Sequence, residues 1–346
     1  MGRFLNPGNE AFSEVIHSEI YVDKTPLLEY TNRVISTTSK FICSSRPRRF
    51  GKSITAEMLS AYYSKGSDSR ELFADYAIHK AESFEKHLNQ YDVIHFDVQW
   101  CMMDAGNADC VVEYINNGIL QELKEKYGEL IPDTVKTVYG AMSYIKAAAG
   151  NKFVVIIDEW DVLIRDEAQN HKVQEEYIDF LRGMFKGSEP SKYIALAYLT
   201  GILPIKKLKT QSALNNFEEF TMLDAGRMAP YVGFTEAEVH DLCDRYGQNY
   251  EQVKSWYDGY SLEGYQVYNP KAVVSLMLNG KYKSYWSNTG SYEAIVPLIN
   301  MNFDGLRAAI IEMMSGAAVD VDVTSFQNDT CLLYTSPSPR DPKTSR

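Results

Sequence analysis

The stretch Lys40–Ser53, KFICSSRPRRFGKS, constrains this chain more than any other. Phe41–Cys43 reads as a short apolar strand that runs into a tight basic turn closed by Gly51-Lys52-Ser53, and ITAEMLSAYYS follows with helical spacing. Strand, phosphate-sized loop and helix, in that order, make a phosphate-binding loop candidate. Backbone N–H groups at a helix N-terminus point at anionic oxygens, and the helix dipole favours negative charge there. In such a loop Lys52 reaches the β- and γ-phosphates and the Ser53 hydroxyl ligates Mg²⁺. The usual pattern, G-x-x-x-x-G-K-[ST], puts a glycine at position 46 because that turn wants special backbone angles, yet this chain has Arg46. Arg46, Arg48 and Arg49 are themselves candidate phosphate contacts. With Phe50, Gly51, Lys52, Ser53 and Ile54 they make up the expected nucleotide-contacting set. A basic surface turn ahead of a helix is the competing reading of this segment taken alone.

The second constraint is Phe153–Ile157, FVVII, a β-branched run suited to a strand buried on both faces, as in the centre of a parallel sheet. Asp158 and Glu159 stand at its carboxyl end, where the ligands of open α/β sheets bind. A hydrophobic strand followed by D-E is the Walker B pattern. It predicts Asp158 in the Mg²⁺ shell and Glu159 orienting or polarising the attacking water. The alternative is an acidic turn that caps the next helix, but the position downstream of a phosphate loop favours Walker B. Tyr193–Thr200, YIALAYLT, is a further apolar strand. Its terminal Thr200 is predicted to sense the γ-phosphate or the lytic water, with a hydroxyl bonded to local backbone as the alternative.

The rest of the chain fits an α/β core with a smaller unit behind it. Tyr21–Thr25 reads as a turn and Pro26 opens a helix, where its missing N–H costs nothing. Residues 91–99 read as a strand, 109–126, 133–149 and 169–186 as helices, and Phe220–Leu223 as a candidate fifth strand. Beyond Gly233 the texture changes. Thr235 and Glu238 form a capping box ahead of a helix, Asp258-Gly259 reads as a turn, and the series Trp256, Tyr257, Tyr260, Tyr265, Tyr268 reads as a small aromatic core. The expected division is an N-terminal segment at 1–39 packed on the core, an ATPase core at 40–232, a small mainly helical unit at 233–328 and a disordered tail at 329–346. Within that tail Cys331–Asp341, CLLYTSPSPRD, breaks with the upstream composition. It reads as a translated sequencing adaptor, with a native Pro/Ser-rich tail as the alternative.

Charge and cysteine usage narrow the class. Forty-six acidic against thirty-five basic residues leave −11, which argues against whole-surface binding to nucleic acid while leaving room for a local basic patch. Five scattered cysteines with no C-x-x-C pair fit a reduced, cytoplasmic protein. No run approaches the roughly eighteen apolar residues of a membrane span.

Taken in series, these motifs resemble the predicted AAA-ATPase-like family of bacteria. Its Y-x-D-K-T segment stands here as Tyr21–Thr25, its R-P-R-R-F-G-K-S loop as Arg46–Ser53 and its D-E-[YW]-D as Asp158–Asp161. T-G-I-[LF]-P-I stands as Thr200–Ile205, G-F-T-x-x-E-V as Gly233–Val239, W-Y-D-G-Y as Trp256–Tyr260 and Y-N-P as Tyr268–Pro270. Arginine replaces the first loop glycine in that family, so Arg46 is no defect in the match. Trp160 stands where tyrosine is more usual. The resemblance implies a P-loop NTPase, a three-layer αβα sandwich whose parallel sheet runs 5-1-4-3-2, with ATP and Mg²⁺ as ligands. Longer members carry a C-terminal nuclease-like effector domain, for which this chain has no room.

The expected function is Mg-dependent ATP hydrolysis used as a conformational switch. Lys52, Glu159 and Thr200 are its catalytic set, and Ser53 and Asp158 its metal ligands. Arg48, Arg49, Arg182 and Arg227 are candidates for an arginine finger; a finger supplied by a partner would leave the isolated chain slow. A nucleotide-binding regulatory module with negligible hydrolysis is the second reading. The third, resting on family analogy alone, is the ATPase part of a nuclease-coupled protein that processes DNA. The absence of an N-K-x-D motif leans away from GTP.

Overall fold

In the computed structural model, residues 1–167, 170–205 and 214–285 are described. Five parallel strands form the central sheet: β1 Phe41–Ser45, β2 Asp92–Asp97, β3 Phe153–Asp158, β4 Ile194–Gly201 and β5 Glu218–Phe220. Their order across the sheet is β2-β3-β4-β1-β5, the expected 5-1-4-3-2 read from the other edge.

Two apolar layers explain why the central strands lack any polar alternation. Phe153, Val155 and Ile157 face one layer with Phe41 and Cys43, under the helices Val111–Tyr127, Val138–Ala149 and His171–Phe185. Val154 and Ile156 face the other with Ile42, under the helices Glu10–Ile16, Pro26–Val34 and Lys52–Tyr63. The N-terminal residues shield the β2 edge. His95 N–H donates to Phe4 C=O at 2.9 Å and Asn6 N–H to Val93 C=O at 2.7 Å, so groups that an open edge would leave exposed are paired.

Several boundaries differ from the sequence expectation, each for a local reason. The strand expected over 91–99 stops at Asp97, whose carboxylate accepts the N–H groups of Gln99 and Trp100 at 2.7 and 3.1 Å and caps a short helix, Val98–Asp104. The helix expected from 133 begins at Val138, capped by Thr137. The fifth strand lies at 218–220 instead of 220–223, because Thr221 N–H turns back to Asp224 C=O at 2.7 Å.

Residues 233–285 form helices Glu236–Tyr246, Tyr250–Tyr257 and Pro270–Asn279 around an antiparallel sheet of β6 Phe234–Thr235, β7 Asp258–Leu262 and β8 Tyr265–Tyr268. The expected turn at Asp258-Gly259 is strand. The reversal falls at Glu263-Gly264, where both residues have positive φ (49° and 83°), as a two-residue hairpin loop requires. Tyr257 and Tyr268 are core, whereas Trp256 and Tyr265 are about half exposed, at 50% and 46%. The capping box is present: Glu238 N–H donates to the Thr235 hydroxyl at 3.4 Å and Thr235 N–H to Glu238 Oε2 at 2.7 Å. Glu238 also receives the Lys24 ammonium, 2.6 Å from each oxygen. The Y-x-D-K-T segment therefore docks against this unit. The chain after 285 lies outside the described residues, and so do Lys206, Lys207 and Lys209, a small basic cluster that the sequence suggests is a solvated face.

Candidate functional site

The site begins with the loop after β1. Arg49 and Gly51 both take left-handed backbone angles, φ 70° and 89°. Among the described residues, a Cβ on Gly51 would meet no atom within 4 Å. The glycine is needed for its φ and for close approach of a ligand to the backbone, not for room within the protein. Gly51 is the N-cap of the helix Lys52–Tyr63, whose first internal bond is Thr55 N–H to Gly51 C=O at 3.0 Å. The N–H groups of Lys52, Ser53 and Ile54 precede it and have no helical acceptor. Ser53 and Ile54 are exposed, as is Arg49; Arg48 is half-buried.

Two residues of the expected contact set point elsewhere. Phe50 is 1% exposed and packs edge-to-face on Tyr260 of β7, with ring centroids 5.3 Å apart. Arg46 is fully buried. Its Nη1 donates to Phe220 C=O at 2.9 Å and Ser45 C=O at 3.0 Å, and among the described residues Nε and Nη2 have no partner. Burial lowers its pKa to about 10. The arginine in the glycine's place is thus a strut between the loop and β5, with its side chain turned away from solvent.

The acidic strand end meets the loop. Asp97, Asp158 and Thr200 stand side by side at the carboxyl ends of β2, β3 and β4, because the strands pair in register: Asp97 opposite Asp158, and Ile157 opposite Leu199. The Thr200 hydroxyl donates to Asp158 Oδ1, which also accepts Glu159 N–H at 2.9 Å. Among the described residues Oδ2 accepts no hydrogen bond. Thr200 therefore orients Asp158 instead of projecting freely into the site.

Lys52 folds over its own loop, 3.3 Å from Pro47 C=O and 3.7 Å from Glu159 Oε1. Burial lowers its pKa, while Glu159, Asp158 and Asp161 oppose that shift. Glu159 has φ 48°, a conformation that is uncommon for a residue with a Cβ and gathers at functional sites. Its other oxygen lies 3.4 Å from Arg165 Nη1.

The turn after β3 is tied to the loop after β4. Asp161, fully buried, accepts Ile202 N–H at 3.0 Å and Leu203 N–H at 2.7 Å. Burial raises its pKa, opposed first by Arg165. Trp160 N–H donates to Thr200 C=O at 2.9 Å. A Cβ on Gly201 would stand 2.6 Å from the Trp160 indole nitrogen and 2.7 Å from Asp161 Oδ1, so T-G is required by close packing. Of the arginines considered as fingers, Arg182 pairs with Asp179 at 2.6 Å on the helix His171–Phe185. Sequence reasoning missed Arg165, although its spacing of four from Asp161 on a short helix was a readable pairing signal. It also missed Glu57 on the loop helix, raised to about 7 by burial, then by Asp158 and Asp97.

Oxygen donors suit a hard divalent cation. The Ser53 hydroxyl at the first turn and the unbonded Asp158 Oδ2 fit Mg²⁺ in kind. Among the described residues there is no group of three or more His, Cys, Asp or Glu that could hold a metal ion. No helix of the described residues is long and apolar enough to cross a membrane.

A family model described as "Predicted AAA-ATPase" matches residues 7–210. A curated relative from Azotobacter chroococcum mcd 1, described as an uncharacterized protein in the vnfD 5' region, is 25% identical over 307 residues, covering 84% of this chain and 55% of the relative. The chain thus spans about half the length of the curated relative it matches. Among solved structures it is similar to the replication initiator DnaA bound to AMPPCP and single-stranded DNA, with TM-score 0.34, 8% identity, and 91% and 76% of the two chains covered. It is also similar to C. elegans PCH-2, with TM-score 0.31, 10% identity, and coverage of 71% and 51%.

Proposed function

The chain belongs to the predicted AAA-ATPase family, and on that premise we propose that it binds Mg-ATP at the loop after β1 and hydrolyses it at Glu159, as a conformational switch. One observation carries this reading: Lys52 of the loop and Glu159 of the strand end stand 3.7 Å apart, so the phosphate cradle and the candidate water-orienting carboxylate share one site. The roles follow from placement. The first-turn N–H groups of Lys52, Ser53 and Ile54 cradle phosphate, and the Lys52 ammonium exchanges Glu159 and Pro47 C=O for phosphate oxygens. Ser53 and Asp158 hold the cation, with Thr200 orienting Asp158. Mg²⁺, when bound, neutralises charge developing on the β- and γ-phosphate oxygens. Glu159 orients water for in-line attack. Arg48 and Arg49 flank the cradle, while Arg46 and Phe50 serve the loop's architecture. The unit from residue 233 touches the loop through Phe50 and is the natural recipient of its movement.

Equilibrium binding of labelled ATP and single-turnover phosphate release test this reading. Lys52→Ala should weaken ATP binding by at least about tenfold. Glu159→Gln should bind ATP as the wild type does and release phosphate about a hundredfold more slowly or worse. Tight ATP binding by the wild type without any phosphate release would leave a nucleotide-binding regulatory module. No ATP binding would end both readings.

A further inference from the structure

Glu159 is held by two cations with different prospects. Lys52 approaches Oε1 at 3.7 Å, and Arg165 approaches Oε2 with Nη1 at 3.4 Å and Nη2 at 3.5 Å. Lys52 is the partner that leaves: among the described residues its ammonium donates one hydrogen bond, to Pro47 C=O at 3.3 Å, and an anion in the loop competes directly for it.

Arg165 is the partner that stays. Its Nε lies 3.1 Å from Asp166 Oδ1 and its Nη1 3.4 Å from both oxygens of Asp161. Asp161 is itself locked by the N–H groups of Ile202 and Leu203. The chain brings Arg165 there by a turn and one short helix, Val162–Asp166, starting from the left-handed Glu159. A planar guanidinium reaches three carboxylates at once, which a single ammonium does not. Once Lys52 is drawn to phosphate, Glu159 still faces the like charge of Asp161, and Arg165, 3.4 Å from both carboxylates, is the cation left beside it.

We propose that Arg165 is the positioning residue for Glu159, holding its carboxylate at the reaction site after Lys52 has moved to phosphate. The inference rests on the ATPase reading above and adds a residue to it. Arg165 acts through Glu159 and touches neither nucleotide nor water.

The test uses the full chain with Arg165→Met and Arg165→Lys, each in the wild-type and Glu159→Gln backgrounds. ATP and ADP affinities and single-turnover phosphate release are measured. The expected result is that Arg165→Met binds both nucleotides within about twofold of wild type and slows release by at least about tenfold. Arg165→Lys recovers part of that rate. In the Glu159→Gln background Arg165→Met slows release no further, because the carboxylate it positions is already gone.

Unchanged or faster release in Arg165→Met would overturn the inference, and so would equal slowing in both backgrounds. Selective loss of ATP over ADP affinity would also overturn it, by making Arg165 a phosphate ligand. A second measurement does not depend on turnover. In nucleotide-free protein, urea unfolding of the two single variants and the double variant should be non-additive, and additivity would refute the pairing. If the wild type binds ATP but releases no phosphate, the hydrolysis reading fails while the unfolding cycle still decides whether Arg165 holds Glu159.

Discussion

Phe50→Ala is the most informative single change, because Phe50 joins the loop after β1 to the C-terminal unit. Its ring is 1% exposed and shares an apolar cluster with Leu262 and Val267, with Tyr260 edge-to-face at 5.3 Å and 78°. Gly233, at φ 102°, lets the chain pass close by: a Cβ there would come within 3.1 Å of the Phe50 ring. Truncating a buried phenylalanine costs about 3–5 kcal/mol, of which an edge-to-face pair accounts for roughly 1. The contacting hairpin is a narrow ribbon able to close in on the gap, so the expected loss is near the lower bound, about 3 kcal/mol. The loop also loses its anchor between Arg49 and Gly51, so ATP affinity should fall about tenfold although Phe50 touches no ligand. Urea unfolding gives the stability loss, and hydrogen exchange resolves its location, with faster exchange expected across residues 258–268 and in the loop. A loss under about 1 kcal/mol, or unchanged exchange across the hairpin, would refute the idea that Phe50 couples the two.

Three further predictions follow from buried charge. Lys24→Met removes two 2.6 Å bonds to Glu238 and one of 2.8 Å to Pro230 C=O. Because Glu238 is a quarter exposed and keeps its bond from Thr235 N–H, the cost by urea unfolding should be about 2 kcal/mol and not the full penalty of an orphaned buried ion. Glu57 has its pKa raised from 4.5 to about 7 by burial and by Asp158 and Asp97. The native state therefore keeps a proton that the unfolded chain has lost. This contribution is complete below the unfolded pKa of 4.5 and disappears as pH rises through about 7. Between pH 5 and 8 the wild type should lose roughly 2 kcal/mol of stability relative to Glu57→Gln, read as a shift in urea midpoint. Arg46→Met should be milder than Arg46→Gly, which opens a cavity worth roughly 2–4 kcal/mol under the loop. ATP affinity in Arg46→Met should stay within about twofold of wild type, since the side chain faces Phe220 C=O and not the cradle.

Local chemistry made much of the fold and the candidate site readable. A β-branched run without polar alternation suits a strand covered on both faces, so FVVII pointed to the centre of a parallel sheet. Gly-Lys-Ser opening a helix, and Asp-Glu closing that strand, marked the two halves of the candidate site, because phosphate and cation chemistry would call for those groups at element ends. What stayed hidden depended on side-chain direction. Arg46 and Phe50 sit in the loop's sequence, yet one braces β5 and the other grips the hairpin. Asp258-Gly259 has turn composition but pairs as strand, because the reversal at Glu263-Gly264 sets the register of β7 against β8.

By itself the sequence determined the layers, the strand order through its family resemblance, and the identity of the groups at the strand ends. The layers follow from hydrophobic period and the strand-end groups from chemistry that few residues can perform, whereas the order came from the resemblance alone. Only the tertiary structure decided that Thr200 serves Asp158, that Lys52 and Arg165 share Glu159, and that the Gly51-Lys52-Ser53 loop is tied to a C-terminal hairpin through Phe50. Apart from Arg165 and Glu159, which one turn and a short helix bring together, these pairings join residues far apart in the chain, and their distances exist only once the strands are in register.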